Sequence, residues 1–246
     1  MIGVFDSGLG GLSAFLPLTK LMPQADLCYY ADTAALPLGE RKDHEIRARI
    51  DTALSFFDDM DVTGVLLACG TASSLLSEEC KEKFSFPILD IISPTAHVAR
   101  SLKAGSHILL LATEAATRNG QFALALAHEG HPVFSLSCPA LVHIAEGTAT
   151  KEESLAHALF PALKTAPDAV VLGCTHFSLL KKEIAAFFPH ARVIDAAACG
   201  ASAAFACFHE AGEGKRRFFV TGDPKLFSAK AEEALGFPIK VEKIRS

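Results

Sequence analysis

Nine short apolar runs, at residues 1–5, 26–31, 62–68, 87–92, 106–112, 132–137, 168–173, 191–195 and 217–221, alternate with segments of helical pattern along the chain. Within residues 41–60, Ile46, Ile50, Leu54 and Phe57 fall at i, i+4, i+8 and i+11, which makes one apolar helix stripe. Strand followed by helix, repeated, requires crossover connections, and so a largely parallel sheet covered by helices on both faces. The fold class is therefore α/β. Ligands of such sheets gather beyond the carboxyl ends of the strands. The 246 residues, half of them apolar, suffice for one large domain or two small ones. A crossing near Ser93-Pro94 and a return in an alanine-rich helix over 196–211 predict one half from 1–92 with 208–246 and another from 93–207.

A net charge of −5, with no run rich in lysine or arginine, argues against nucleic acid or an anionic membrane as partner. No run approaches the roughly 18 to 20 apolar residues of a membrane span. Met1-Ile2-Gly3-Val4-Phe5 carries no basic region and reads as a first strand, not as a signal peptide. The seven cysteines form no CxxC pair, a pattern that fits reduced thiols of the cytoplasm.

Two of those cysteines stand in matching surroundings. One apolar run ends in Ala68-Cys69-Gly70-Thr71-Ala72 and another in Gly173-Cys174-Thr175-His176, each just before a helical segment. There, a thiol meets the free N–H groups and positive dipole end of the next helix, which stabilise a thiolate. The repetition points to two similar halves and to a pair of acid/base groups acting on opposite faces of one small substrate. Other fates remain open, since most cysteines are inert core residues. A metal held by Cys69, Cys174 and His176 lacks a fourth ligand, and a cysteine protease leaves one thiol without a role. His176 is near enough in sequence to tune Cys174. Glu146 either orients His176 or is a solvated residue at a helix end.

Two further stretches follow strands. Phe5-Asp6-Ser7-Gly8-Leu9-Gly10-Gly11 either lets backbone N–H groups approach an anion or is a glycine turn with Asp6 capping the next helix. Its spacing is not that of a dinucleotide fingerprint. Asp32-Thr33 through Pro37-Leu38-Gly39 is either a substrate-binding loop or a turn before a helix.

Taken together, Phe5 to Gly11, Asp32-Thr33 with Pro37-Leu38-Gly39, Ala68 to Ala72 and Leu172 to His176 resemble the ordered signature blocks of the glutamate racemases of the aspartate/glutamate racemase family. The resemblance spans nearly the whole chain. It implies two pseudo-symmetric flavodoxin-like halves with the active site between them, no cofactor or metal, and often a homodimer. It also implies interconversion of L- and D-glutamate, supplying D-glutamate for peptidoglycan. By this resemblance Cys69 and Cys174 are the catalytic bases, Asp6 and His176 assist their proton transfers, and Glu146 supports His176. Ser7, Pro37, Leu38, Gly39, Gly70, Thr71, Thr113 and Thr175 fall at substrate-binding positions.

Three positions depart from the family pattern. Gly70 stands where the family has asparagine, Leu38 where it has tyrosine, and Ala116, followed by Thr117, where it has threonine. Hydrogen bonds to charged groups contribute roughly 1.5 to 3 kcal/mol each, so losing two without replacement weakens binding by about 10²- to 10⁴-fold. The alternatives to a glutamate racemase are thus a racemase of another amino acid or a racemase-like binding or regulatory protein.

Overall fold

All nine apolar runs become strands of two parallel sheets in the computed structural model, which describes residues 1–149, 151–209 and 211–245. The first sheet contains β1 (Ile2–Asp6), β2 (Leu27–Ala31), β3 (Gly64–Leu67), β4 (Ile88–Leu89), β9 (Arg216–Val220) and β10 (Val241–Lys243). The second contains β5 (Ile108–Ala112), β6 (Val133–Ser137), β7 (Ala169–Leu172) and β8 (Arg192–Asp195). Their orders are β10-β9-β2-β1-β3-β4 and β6-β5-β7-β8, with parallel pairing throughout. The order β2-β1-β3-β4 of the first sheet thus recurs as β6-β5-β7-β8 in the second. β3 and β7 hold equivalent places, and Cys69 and Cys174 follow their carboxyl ends.

Side chains alternate between the faces of each strand, so one sheet serves two cores. Ile2 and Val4 of β1 share a cluster with Ile108, Leu110 and Ala112 of β5. That central core also takes in Phe15 and Leu18 of the helix Leu12–Leu21, Ala96 of Ile92–Ala99, and Ala197 and Ala201 of Ala196–Cys207. On the opposite faces, Phe5 packs with Phe57 in the first sheet's outer core, and Leu109 and Leu111 pack with Leu141 and Phe177 in the second's. Each such fully buried large side chain stabilises by about 1.5–3 kcal/mol. A core common to both sheets is what holds their carboxyl ends toward one another.

The predicted stripe of Ile46, Ile50, Leu54 and Phe57 is buried on the helix Asp43–Asp59. One expected boundary differs from the structure, and one strand had no forecast. The alanine-rich helix predicted over 196–211 ends at Cys207, and Glu210 lies outside the described residues. The edge strand β10, Val-Glu-Lys, is short and two of its three residues are charged, so no apolar run announces it. Among the described residues no helix is long and apolar enough to cross a membrane.

Candidate active site

A cleft with about 360 Å³ of unfilled space, open solvent included, lies where the loops after β1, β2 and β3 meet those after β5, β6 and β7. Cys69 and Cys174 both line it, with Ser7, Pro37, Leu38, Gly39, Thr71, Thr113 and His176. Asp6, Glu146, Gly70 and Thr175 do not line the cleft; they stand behind it. Leu36, Glu40, Glu114, Pro139 and Val142 are lining residues that the sequence reading did not single out. Leu36, Glu40 and Glu114 fall within or flank the stretches marked above, so contiguity was the available signal for them, whereas Pro139 and Val142 precede Glu146 on one helix. Glu40 lies 3.4 Å from His143 and Glu114 lies 3.7 Å from Arg118, so both acids have basic partners.

The local geometry at Gly70 explains why its position departs from the family pattern. A Cβ built there would sit 1.9 Å from the carbonyl oxygen of Gly173, the residue before the other cysteine. No side chain fits, and Gly70 faces backbone across the interface of the halves and not the cleft. The missing side chain is accordingly accounted for by a backbone-to-backbone approach. The glycine run after β1 has a similar purpose. A Cβ on Gly10 would fall 2.6 Å from the His176 amide nitrogen and 2.7 Å from its ring Nδ1. The loop therefore lies directly on the Thr175-His176 turn.

Gly11, at the N-cap of the following helix, has no side chain to cap it, and the Asp6 carboxyl meets the Gly11 backbone N–H there. Asp6 Oδ1 accepts from the Gly8 N–H at 2.9 Å and its Oδ2 from the Thr175 hydroxyl at 2.9 Å. The carboxyl is fully buried, and burial pushes it above the usual carboxylate range despite the opposing His176 charge and the bonds from Gly8, Thr175 and Gly11. Thr71 Oγ1 and Thr113 Oγ1, one from each half, are hydrogen-bonded at 2.8 Å.

The two thiols occupy unlike environments. Cys69 Sγ donates to Ser7 Oγ at 3.8 Å. Burial, reinforced by the negative charge of Asp6, pushes this thiol up to about 12. Cys174 Sγ instead stands 3.8 Å from His176 Nδ1, and His176 Nε2 donates to Glu146 Oε1 at 2.8 Å. Burial disfavours charge on the His176 ring, but the hydrogen bonds to Cys174 and Glu146 and the charges of Cys174 and Asp6 outweigh it and raise the ring well above its ordinary value. Burial likewise opposes ionisation of Glu146, yet the bond to His176 and the charges of His176 and Lys230 hold it below its usual range. Among the described residues no group of three His, Cys, Asp or Glu side chains is arranged to hold a metal ion.

Comparison with known proteins places the chain's family and fold. Residues 18–204 match the family described as Asp/Glu/Hydantoin racemase. The glutamate racemase of Carboxydothermus hydrogenoformans is 32% identical over 99% of this chain and 95% of its own length. The solved glutamate racemase isoform RacE1 of Bacillus anthracis superposes with a TM-score of 0.91 at 27% identity, covering 99% of this chain and 97% of that one. A Francisella tularensis glutamate racemase in complex with D-glutamate gives a TM-score of 0.89 at 25% identity, covering 100% of this chain and 96% of that one.

Two outcomes are expected. Gly70→Ala must displace the Gly173 backbone, so we expect a loss of roughly 1–3 kcal/mol and a fall of several degrees in Tm; an unchanged Tm contradicts the close approach. His176, with its folded value raised above the ordinary 6.5, adds stability that is full below the unfolded value and is lost as pH rises through the folded one. In ¹⁵N spectra its ring should remain doubly protonated at neutral pH, and Glu146→Gln should lower its titration. A wild-type ring that is already neutral at pH 7 contradicts this.

Proposed function

The chain belongs to the Asp/Glu/Hydantoin racemase family, and on that premise we propose that it interconverts L- and D-glutamate, with Cys69 and Cys174 exchanging protons with opposite faces of the α-carbon. One observation carries this reading: the two thiols follow equivalent strands of a doubled motif and line the same cleft. Inversion needs a base on one face and an acid on the other, because a single group returns the proton to the side it came from. The unlike surroundings of the thiols supply both at once. His176 Nδ1, 3.8 Å from the Cys174 sulfur, is placed to exchange a proton with that thiol, while burial and Asp6 keep Cys69 a neutral thiol.

In one direction the Cys174 thiolate takes the α-proton as the Cys69 thiol delivers its own from the other side. The products are the opposite enantiomer, a Cys174 thiol and a Cys69 thiolate, which is the form that runs the reverse reaction. Positioned proton transfer contributes only about 10²- to 10⁴-fold. Fixed dipoles around the developing carbanion supply much of the rest. Neither lysine nor arginine is among the described residues lining the cleft. The substrate carboxylates are therefore assigned to the hydroxyls of Ser7, Thr71 and Thr113 and to the backbone near Gly39. Asp6 acts through Thr175 and the Gly8 loop, not by contact with the substrate.

The scheme calls for no cofactor. By the same family membership the enzyme is read as cytoplasmic, as a source of D-glutamate for peptidoglycan, and as a homodimer, with 1–92 plus 208–246 and 93–207 as its two halves.

Purified protein given L-glutamate should bring the circular dichroism signal to zero as the enantiomers equalise. Cys69→Ser and Cys174→Ser should each lower turnover by about 10²-fold or more without a matching loss of Tm. Wild-type turnover in either variant contradicts the two-thiol scheme. Turnover only with another amino acid contradicts the assignment to glutamate, and stabilisation by glutamate without turnover contradicts enzymatic function.

A further inference from the structure

Behind the cleft, one lysine far along the chain completes the row that ends at Cys174. Lys230 lies on the helix Pro224–Leu235, which follows β9 of the first sheet. Its Nζ donates to the main-chain oxygen of Glu146 at 2.7 Å and stands 3.6 Å from Glu146 Oε2. Glu146 Oε1 is already taken, by His176 Nε2 at 2.8 Å and the Leu9 N–H at 3.5 Å. The two carboxylate oxygens are thus divided between His176 and Lys230.

Most lysine–carboxylate pairs at a surface contribute little, and Lys230 is 37% exposed. This pair differs because its shorter contact is to a backbone carbonyl. That carbonyl sits just past the helix Pro139–Ala145 and before Gly147, whose φ of 72° turns the chain. Carbonyls at a helix end have no partner within the helix, and a lysine there fixes the main chain from which the Glu146 side chain projects. Nearby acids are otherwise engaged. Asp223 Oδ1 accepts from the Lys225 and Leu226 N–H groups, and Glu232 Oε1 accepts from Ser228 and the Ile239 N–H.

We propose that Lys230 is a positioning residue for the Cys174 side of the reaction: it fixes Glu146, which in turn aims the His176 ring at the thiol. This rests on the two-thiol reading given above. Lys230 and Leu9 come from the first half and Cys174, His176 and Glu146 from the second, so the alignment is complete only when the halves meet. A group misplaced by about 1 Å can cost around 10²-fold in rate, so loosening Glu146 affects turnover more than substrate affinity.

The test compares Lys230→Met, Lys230→Arg and Cys174→Ser in the full chain, measuring kcat and KM for glutamate and the ¹⁵N titration of His176. Lys230→Met should lower kcat by about tenfold with KM changed less than about twofold. Removing the Lys230 charge alone would raise the His176 titration, so a downward movement marks the loss of a fixed acceptor, and that is the expected result. Lys230→Arg should restore most of kcat. Wild-type kcat in Lys230→Met beside an inactive Cys174→Ser overturns the role of Lys230 alone, as does an upward or unchanged His176 titration. An active Cys174→Ser overturns the two-thiol reading and this proposal with it. Should Lys230→Met unfold, Lys230→Gln is read by the same criteria.

Discussion

The approach of Gly70 to Gly173 is the contact on which the site's geometry depends. A built Cβ at residue 70 lies 1.9 Å from the Gly173 oxygen, so the two turns meet as bare backbone, each next to its cysteine. Any side chain would act as a wedge between the carboxyl ends of β3 and β7. The central core behind them, shared by strands of both sheets and the helices between, presses the halves together over a much larger area. Packing thus supplies the force, and the missing side chain at Gly70 sets how closely it can act. Cys69 and Cys174 share a cleft as a consequence.

Charge is distributed around that contact in a way that apolar packing alone would not allow. An ionised group in a protein interior is costly unless paired and hydrogen-bonded. Here the buried groups meet that condition: Asp6 accepts from Gly8 and Thr175, and His176 lies between Cys174 and Glu146. The outcome is asymmetric. The carboxylate of Asp6 reinforces the protonated form of Cys69, and the ring of His176 answers charge on Cys174. Two chemically identical side chains thus stand in unlike surroundings, one beside Ser7 and the other beside His176.

Much of this is legible in the sequence, where the relevant signal is local. Strand runs, the 46-50-54-57 stripe and the matched cysteine turns each depend on neighbours a few residues away, and each appears in the structure in that form. What was not legible depends on partners distant in the chain. Gly70 looked like a lost substrate contact, because nothing near it in sequence reveals Gly173. Asp6 looked like a helix cap or an anion site, since its partner Thr175 belongs to the other half. Lys230 lies in an ordinary amphipathic helix with no marked residue beside it. The strand Val241–Lys243 forms because β9 offers it an edge, not because its own residues demand it.

The most direct measurement of proton transfer on two faces is made by running L-glutamate in D₂O and stopping at low conversion. The D-glutamate formed should carry deuterium at the α-carbon while the recovered L-glutamate remains protiated, because each face exchanges with its own thiol. Deuterium in both enantiomers from the outset, or protium carried over from L- to D-glutamate, would contradict a pair of opposed cysteines.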